Sequence, residues 1–165
     1  MMHKTVNLLL AGSDRRVNNI VEAVVRDVCY EQAMVECTRA SSVDEFLRHS
    51  GSEWLDLIMV APDSLLPSPH RRGSRVTMAQ TAEAIRSIKS QRSTPVLALD
   101  VAPESQIALL EAGLDNAFAF PLDADALKVE VRRLLNLSER VEPATPEKWS
   151  FAGSFLRGWQ RLKNA

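Results

Sequence analysis

The sequence predicts an α/β protein with five βα units that form a doubly wound, parallel, five-stranded sheet. Short apolar runs alternate five times with longer amphipathic stretches over about residues 4–138. Most of these short runs have no polar face. Strands that are apolar on both faces are typical of a parallel sheet that is covered by helices on both sides.

The five predicted strands are short and mostly aliphatic. The run after the polar N-terminus, residues 6–11, and the run at residues 55–61 are almost wholly apolar, as expected for central strands. The complete set of predicted strands is residues 6–11, 33–38, 55–61, 95–99 and 117–120.

The five predicted helices are recognised by apolar residues at helical spacing and by terminal signals. Ser42 and Glu45 form a capping-box pattern that opens the second helix. Gly113 suits the position after the fourth helix, and Asp123 can cap the fifth. The predicted ranges are residues 17–29, 43–47, 77–89, 103–112 and 124–135. The side chains expected to point inward are Val17, Ile20, Val21, Val24, Val25, Val28, Ala82, Ile85, Ile88, Leu127, Val131, Leu134 and Leu135.

Composition limits the class of protein. The 165 residues suit one domain with an appendage, and 45% hydrophobic residues suffice for an ordinary core. A formal net charge of −1 gives no global attraction to nucleic acid or to an anionic membrane. No segment approaches the roughly 20 apolar residues of a membrane span. Cys29 and Cys37 form no CxxC pair, so we expect a reduced, cytoplasmic protein without a cofactor.

Three segments resemble the response-regulator receiver domain of the chemotaxis type (CheY-like). Residues 56–60 (DLIMV) look like its third strand, and residues 94–99 (TPVLAL) look like its fourth. Residues 110–116 (LEAGLDN), followed by Pro121, are similar to the family's EAGADDY…KP passage. Only the loop after the third strand is out of step, because it is roughly a dozen residues longer than usual. The resemblance implies the receiver/flavodoxin-like fold for residues 1–140.

The resemblance also implies a site at the carboxyl ends of the strands, and this sequence departs from the family pattern at every position of that site. The family's acidic pair falls at Ala11 and Gly12, its phosphoacceptor aspartate at Ala61, its Ser/Thr at Asp100, its aromatic at Ala117 and its lysine at Phe120. Ala61 cannot supply the carboxylate nucleophile, and Mg²⁺ would lack oxygen ligands. We therefore expect no catalytic residue and no metal: a degenerate pseudo-receiver that acts as a non-catalytic interaction module in signalling or assembly.

Two alternatives stay open. A shifted set of Asp14, Asp63 and Asp100 would give a phosphorylation-competent receiver that uses Asp63. Their ordinary roles would be a helix cap for Asp14, a surface carboxylate for Asp63 and a turn for Asp100. The degenerate pocket could instead sense a small ligand or a redox change.

A basic cluster lies in the long loop at residues 62–75. It consists of His70, Arg71, Arg72 and Arg75. A solvated loop and a docking site for an acidic partner both fit this cluster. No aromatic residues are interleaved with the arginines for base stacking, so nucleic acid is not an expected partner.

The C-terminal segment is the least ordinary part of the sequence. Residues 141–146 read as a linker, and residues 147–165 form an aromatic, basic tail with four basic residues and one acidic residue. The residues expected to bind a partner are Trp149, Phe151, Phe155, Leu156, Trp159, Leu162, Arg157 and Arg161. Three interpretations are open: the tail folds back on its own domain, docks on a partner, or, least favoured, contacts a membrane surface.

In receivers, the surface made by the fourth helix, the fifth strand and the fifth helix usually binds partners. Here that surface would carry Gln106, Glu111, Lys128 and Arg132. We expect a protein partner at this surface, at the tail or at both, and a homodimer is left open. Without phosphorylation, control would come from expression level, from a ligand or from the partner itself.

Overall fold

A computed structural model describes residues 4–52, 54–67, 78–119 and 121–137. Five strands and five α-helices alternate along these residues, with one 3₁₀ helix (η1) after the third strand. The elements are β1 Lys4–Ala11, α1 Arg15–Cys29, β2 Ala33–Ala40, α2 Val43–Ser52, β3 Leu57–Val60, η1 Pro62–Ser64, α3 Met78–Gln91, β4 Val96–Leu99, α4 Pro103–Glu111, β5 Asn116–Phe118 and α5 Ala124–Leu134. Phe120, the basic loop cluster, the linker and the tail lie outside the described residues, so the expectations for them stay predictions.

All five strands are parallel and follow the order β2-β1-β3-β4-β5. β1 pairs with β2 from Lys4↔Ala33 to Ala11↔Ala40, and with β3 from Leu8↔Leu57 to Ala11↔Val60. This order is one of the common doubly wound arrangements. The predicted fold class is therefore confirmed. The ends of the strands define two edges, the carboxyl edge and the amino edge.

The sheet separates two apolar cores. Side chains alternate between the faces of a strand, so Leu8 and Leu10 of β1 pack with α1 and α5. Leu9 and Ala11 pack with α2, α3 and α4 on the other face. Among the described residues, no helix is long and apolar enough to cross a membrane.

The predicted cap at the start of α5 and the predicted glycine after the end of α4 are both confirmed. Asp123 Oδ1 accepts hydrogen bonds from Asp125 N and Ala126 N, at 3.0 and 3.1 Å. Gly113 follows α4 with φ +106°, which is a conformation that glycine adopts without strain.

In the capping box of α2, the Glu45 carboxylate binds a backbone N–H one residue earlier than the motif predicts. Ser42 Oγ accepts a hydrogen bond from Glu45 N at 3.2 Å, as expected. The Glu45 carboxylate, however, accepts from Ser41 N at 2.8 Å rather than from Ser42 N. This backbone hydrogen bond from Ser41 is the main cause that holds the pKa of Glu45 below its usual value.

Two predicted placements were wrong. Ile20 of α1 is 53% exposed, because the buried stripe of α1 continues through Asn18 instead. Lys128 does not lie free on the α4–β5 side of α5, since its Nζ is 2.8 Å from Asp27 of α1. Position along a helical period alone did not reveal which side of each helix its neighbours cover.

The Asp123 cap should make a measurable contribution to stability. We expect Asp123→Ala to lower the free energy of unfolding by about 1 kcal/mol, because two amide groups at the start of α5 lose their acceptor. Asp125→Ala is the matched control. It removes an acid from the same turn without removing the cap, and it should cost only about 0.3 kcal/mol. Urea unfolding measures both values, and equal losses would contradict the capping role.

Candidate functional site

Three of the positions predicted for the site meet at the carboxyl edge. Ala11 ends β1 and Ala61 follows β3, and Ala61 N donates to Ala11 O at 2.8 Å. Gly12 is the next residue of the first loop. All three residues are buried. Their side chains present only methyl groups or hydrogen where the resemblance places carboxylates.

The remaining described positions lie farther along the same edge. Asp100 follows β4. Ala117 of β5 pairs with Ala98 of β4. The Asp100 backbone has φ +54°, in the left-handed region that aspartate tolerates better than most residues. Its side chain is exposed, as expected for a turn residue. Phe120, at the family's lysine position, lies outside the described residues.

A short segment after β3, residues 62–66, spans the end of β1, and we call it the crossing segment. Ser13 N donates to Ser64 O at 3.0 Å, and the Ser13 hydroxyl donates to the same carbonyl oxygen. Farther along, Leu66 N donates to Ser41 O at 2.9 Å and Leu66 O accepts from Val43 N at 3.1 Å. The segment thus binds the loop after β1 and the loop after β2. Because β1 lies between β2 and β3 in the sheet, the segment passes over the loop that contains Gly12.

The crossing segment crowds the space that a side chain at Gly12 would occupy. A Cβ atom there would lie 2.6 Å from Ser64 Oγ and 3.1 Å from the Ala61 Cβ. The Gly12 backbone is also engaged on both sides, because its N–H donates to Ala40 O and its carbonyl accepts from the buried Asn18 Nδ2 at 3.0 Å. Ser64 thus lies against the position of the family's acidic pair.

The three aspartates of the shifted alternative have separate locations. Asp14 caps α1, where its Oδ1 accepts from Arg16 N and Val17 N. Asp63 is exposed on η1 and Asp100 is exposed after β4. Within the described parts of the chain, no group of three or more His, Cys, Asp or Glu side chains could hold a metal ion.

The residues present do not fit the Mg²⁺ site that the receiver fold implies. Mg²⁺ requires near-octahedral oxygen coordination, usually with one or two carboxylates. Ala11, Gly12 and Ala61 supply no side-chain oxygen. The hydroxyl groups of Ser13 and Ser64 donate to main-chain carbonyls, the latter to Ala61 O at 3.2 Å.

The two thiols lie away from this edge. Cys29 is buried and Cys37 is half-buried in β2, near the ion pair of Glu22 with Arg39. Burial first, and then the Glu22 carboxylate, raises the pKa of the Cys37 thiol to about 11. Burial also raises the pKa of Cys29. Reactive cysteines require the thiolate, so neither environment favours redox sensing.

The helices beside the edge strand β5 expose apolar side chains that the sequence reasoning missed. Ile107 and Leu110 of α4 and Val129 of α5 are exposed, with Ile107 at 65% and Val129 at 64%. Of the predicted polar residues, Glu111 is exposed, Arg132 is half-buried, and Gln106 donates to Val101 O at 3.1 Å. Ile107, Leu109 and Leu110 crowd on the short α4, and that crowding was a signal that not all could be buried.

Solved structures with the same architecture are receiver domains and related proteins. A candidate response regulator from Chloroflexus aurantiacus matches with a TM-score of 0.62 and 21% identity, over 81% of this chain and 99% of its own. The receiver domain of a sensor histidine kinase from Pseudomonas aeruginosa, with a magnesium ion in its active-site cleft, matches with a TM-score of 0.59 and 17% identity, over 80% and 98%. A candidate pilus assembly protein from Burkholderia thailandensis matches with 0.57 and 17%, over 79% and 98%.

The chain therefore has the fold of a response-regulator receiver domain, and the resemblance seen in the sequence is confirmed at the level of the fold. No protein-family model and no curated protein matches the sequence. At these identities the comparisons establish the architecture alone.

The contact between Gly12 and Ser64 predicts a specific stability pattern. Gly12→Ala should lower the free energy of unfolding by about 1–3 kcal/mol, because the new methyl group overlaps Ser64 Oγ. Ser64→Ala should cost about 1 kcal/mol through its lost hydrogen bond. The double variant should lose less than the sum, with a coupling of at least ~0.5 kcal/mol.

The matched control is Gly51→Ala, since a Cβ there has no neighbour within 4 Å. That substitution should leave stability unchanged or raise it by up to about 1 kcal/mol, because alanine is the better helix former. Denaturant unfolding measures all four variants. Additive losses for Gly12→Ala and Ser64→Ala would contradict the direct contact.

Proposed function

We propose that this chain is a non-catalytic, cytoplasmic receiver-fold module that binds a protein partner and is not controlled by aspartate phosphorylation. The observation that carries the proposal is Ala61, a buried methyl group that follows β3 where the resemblance places the phosphoacceptor. Formation of an acyl phosphate requires a carboxylate oxygen as nucleophile. An alanine side chain has no atom that can take this role.

The surroundings of Ala61 support the proposal. The crossing segment fills the space beside Gly12, so a carboxylate placed there would first have to displace Ser64. In the sequence, Phe120 replaces the lysine that would contact the phosphoryl group, and an aromatic ring cannot supply that charge. Several roles would need to be restored together before phosphoryl transfer became feasible.

The proposed partner surface is the side of the domain at β5, formed by α4, β5 and α5. Ile107, Leu110 and Val129 are large apolar side chains that remain exposed on its two helices. A partner that covers these side chains would remove their apolar surface from water, which favours binding. A second copy of the chain is one occupant that this surface would accept. The similarity to a candidate pilus assembly protein is consistent with an assembly role beside a signalling role.

Chemical silence is the first expected outcome. The full chain incubated with acetyl phosphate and Mg²⁺ should show no phosphoryl adduct by intact mass, while an active receiver treated in parallel is modified. Ala61→Asp alone should stay unmodified too, because the metal ligands near Gly12 are also missing. Stoichiometric modification that disappears in Asp63→Asn would overturn the proposal and identify Asp63 as the acceptor.

The partner surface gives a second expected outcome. Ile107→Asp combined with Val129→Asp should lower the affinity for a protein that the unmodified chain captures. The loss should be at least about tenfold, or ~1.4 kcal/mol, because buried apolar anchors dominate interface energies. Ile20→Asp is the matched control, since Ile20 is equally apolar and 53% exposed but lies on α1. Quantitative affinity capture, with sedimentation to detect self-association, measures the effect. Equal losses for both changes would argue against this surface.

A further inference from the structure

We infer that the aromatic tail, residues 147–165, docks on its own domain in an open groove at the amino edge of the sheet. The groove lies between the connection from α2 to β3 and the connection from α3 to β4. Its volume is about 640 Å³. It is lined by Trp54, Leu55, Asp56, Gln91, Arg92, Ser93, Thr94 and Pro95.

The rim of the groove presents an aromatic ring that the described residues leave uncovered. Trp54 is 91% exposed, the highest value among the exposed large apolar residues. Tryptophan is highly buried on average in folded proteins, because its large ring gains from contact with other apolar groups. Leu55 and Pro95 lie half-buried beside it. An apolar occupant of the groove would therefore cover a substantial aromatic surface.

The polar groups of the groove are held by the domain itself. Arg92 Nη2 donates to Gly51 O at 2.9 Å, and Thr94 Oγ1 donates to Leu55 O at 3.1 Å. Asp56 Oδ2 accepts from Asn7 N at 2.8 Å, which ties the groove to β1. These bonds preorganise the walls, so an occupant would not have to order them on binding.

The end of α5 lies at the amino edge, within reach of the groove. α5 runs antiparallel to the strands, and its end lies beside the start of β1, where Lys4 Nζ donates to Leu135 O at 3.5 Å. The nine residues between 137 and 147 can extend up to about 30 Å. The groove lies at the starts of β3 and β4, one and two strands from β1, at a spacing of about 5 Å per strand. The tail can reach the groove without strain.

The sequence of the tail matches an aromatic groove. Phe151, Phe155, Trp159 and Leu162 share one face at helical spacing. Offset or edge-to-face contact with Trp54 would add to the area that these rings bury. Attachment to the same chain makes the event intramolecular, with an effective concentration in the millimolar range for a short linker. A modest intrinsic affinity therefore suffices for docking in cis.

The exposure of Trp54 in the full chain tests the proposal. In a Trp149→Phe, Trp159→Phe background, which keeps the tail aromatic, Trp54 is the sole tryptophan. Its acrylamide quenching constant should be at least about threefold lower than after further substitution of Phe155→Asp, because a docked ring covers the indole. Gln160→Asp adds the same charge outside the apolar face of the tail and should leave the quenching low.

Two measurements keep the outcome decisive. Circular dichroism and thermal unfolding of the Phe155→Asp variant show whether the domain stays folded. The quenching should not change over a hundredfold range of protein concentration. Shielding that appears only at high concentration, together with a dimer in sedimentation, would overturn docking in cis in favour of a second copy. Quenching equal to that of a free tryptophan amide in every variant would overturn docking altogether.

Discussion

The close approach of Ser64 to Gly12 is the constraint on which the carboxyl edge depends. The approach exists because the segment after β3 turns back over β1 and binds the loops after β1 and β2 through main-chain hydrogen bonds. A Cβ at Gly12 would lie 2.6 Å from Ser64 Oγ, so a larger residue there requires Ser64 to shift. Backbone and small side chains of the described residues fill the space beside Gly12, and the buried Asn18 donates to the Gly12 carbonyl from the other side.

The lack of side-chain oxygens at Ala11, Gly12 and Ala61 bears on where the free energy of binding can arise. Among the described residues, α4 exposes Ile107 and Leu110, and α5 exposes Val129. Apolar side chains that the fold cannot cover are costly in water, and a partner that covers them gains that free energy. The domain thus has the receiver architecture, and its helices are the site that we propose for partner binding.

The amino edge carries a second uncovered surface, and it is separate from the first. Trp54 and the groove beside it lie at the opposite ends of the strands from Gly12. The end of α5 reaches the same edge through Leu135, whose carbonyl accepts from Lys4. A tail docked there would leave the α4–β5–α5 surface free, so intramolecular docking and partner binding need not compete.

The sequence by itself determined the features that depend on short-range periodicity and on local hydrogen bonds. The five βα units, the caps at Asp14 and Asp123, and the left-handed Gly113 all follow from residues within a few positions of one another. The resemblance also assigned Ala11, Gly12 and Ala61 to the family's site positions, because that required only alignment along strands, and the assignment stays a prediction.

Only the tertiary structure decided how distant segments meet. Local periodicity placed Ile20 inward, and the resemblance placed Lys128 on the wrong side of α5, because sheet order and not helical spacing decides the neighbours of a helix. The approach of Ser64 to Gly12 joins residues 52 positions apart. The groove at Trp54 joins the loop before β3 to the loop after α3. Such contacts follow from the path of the whole chain, since no local pattern records which surfaces long-range packing covers and which it leaves open.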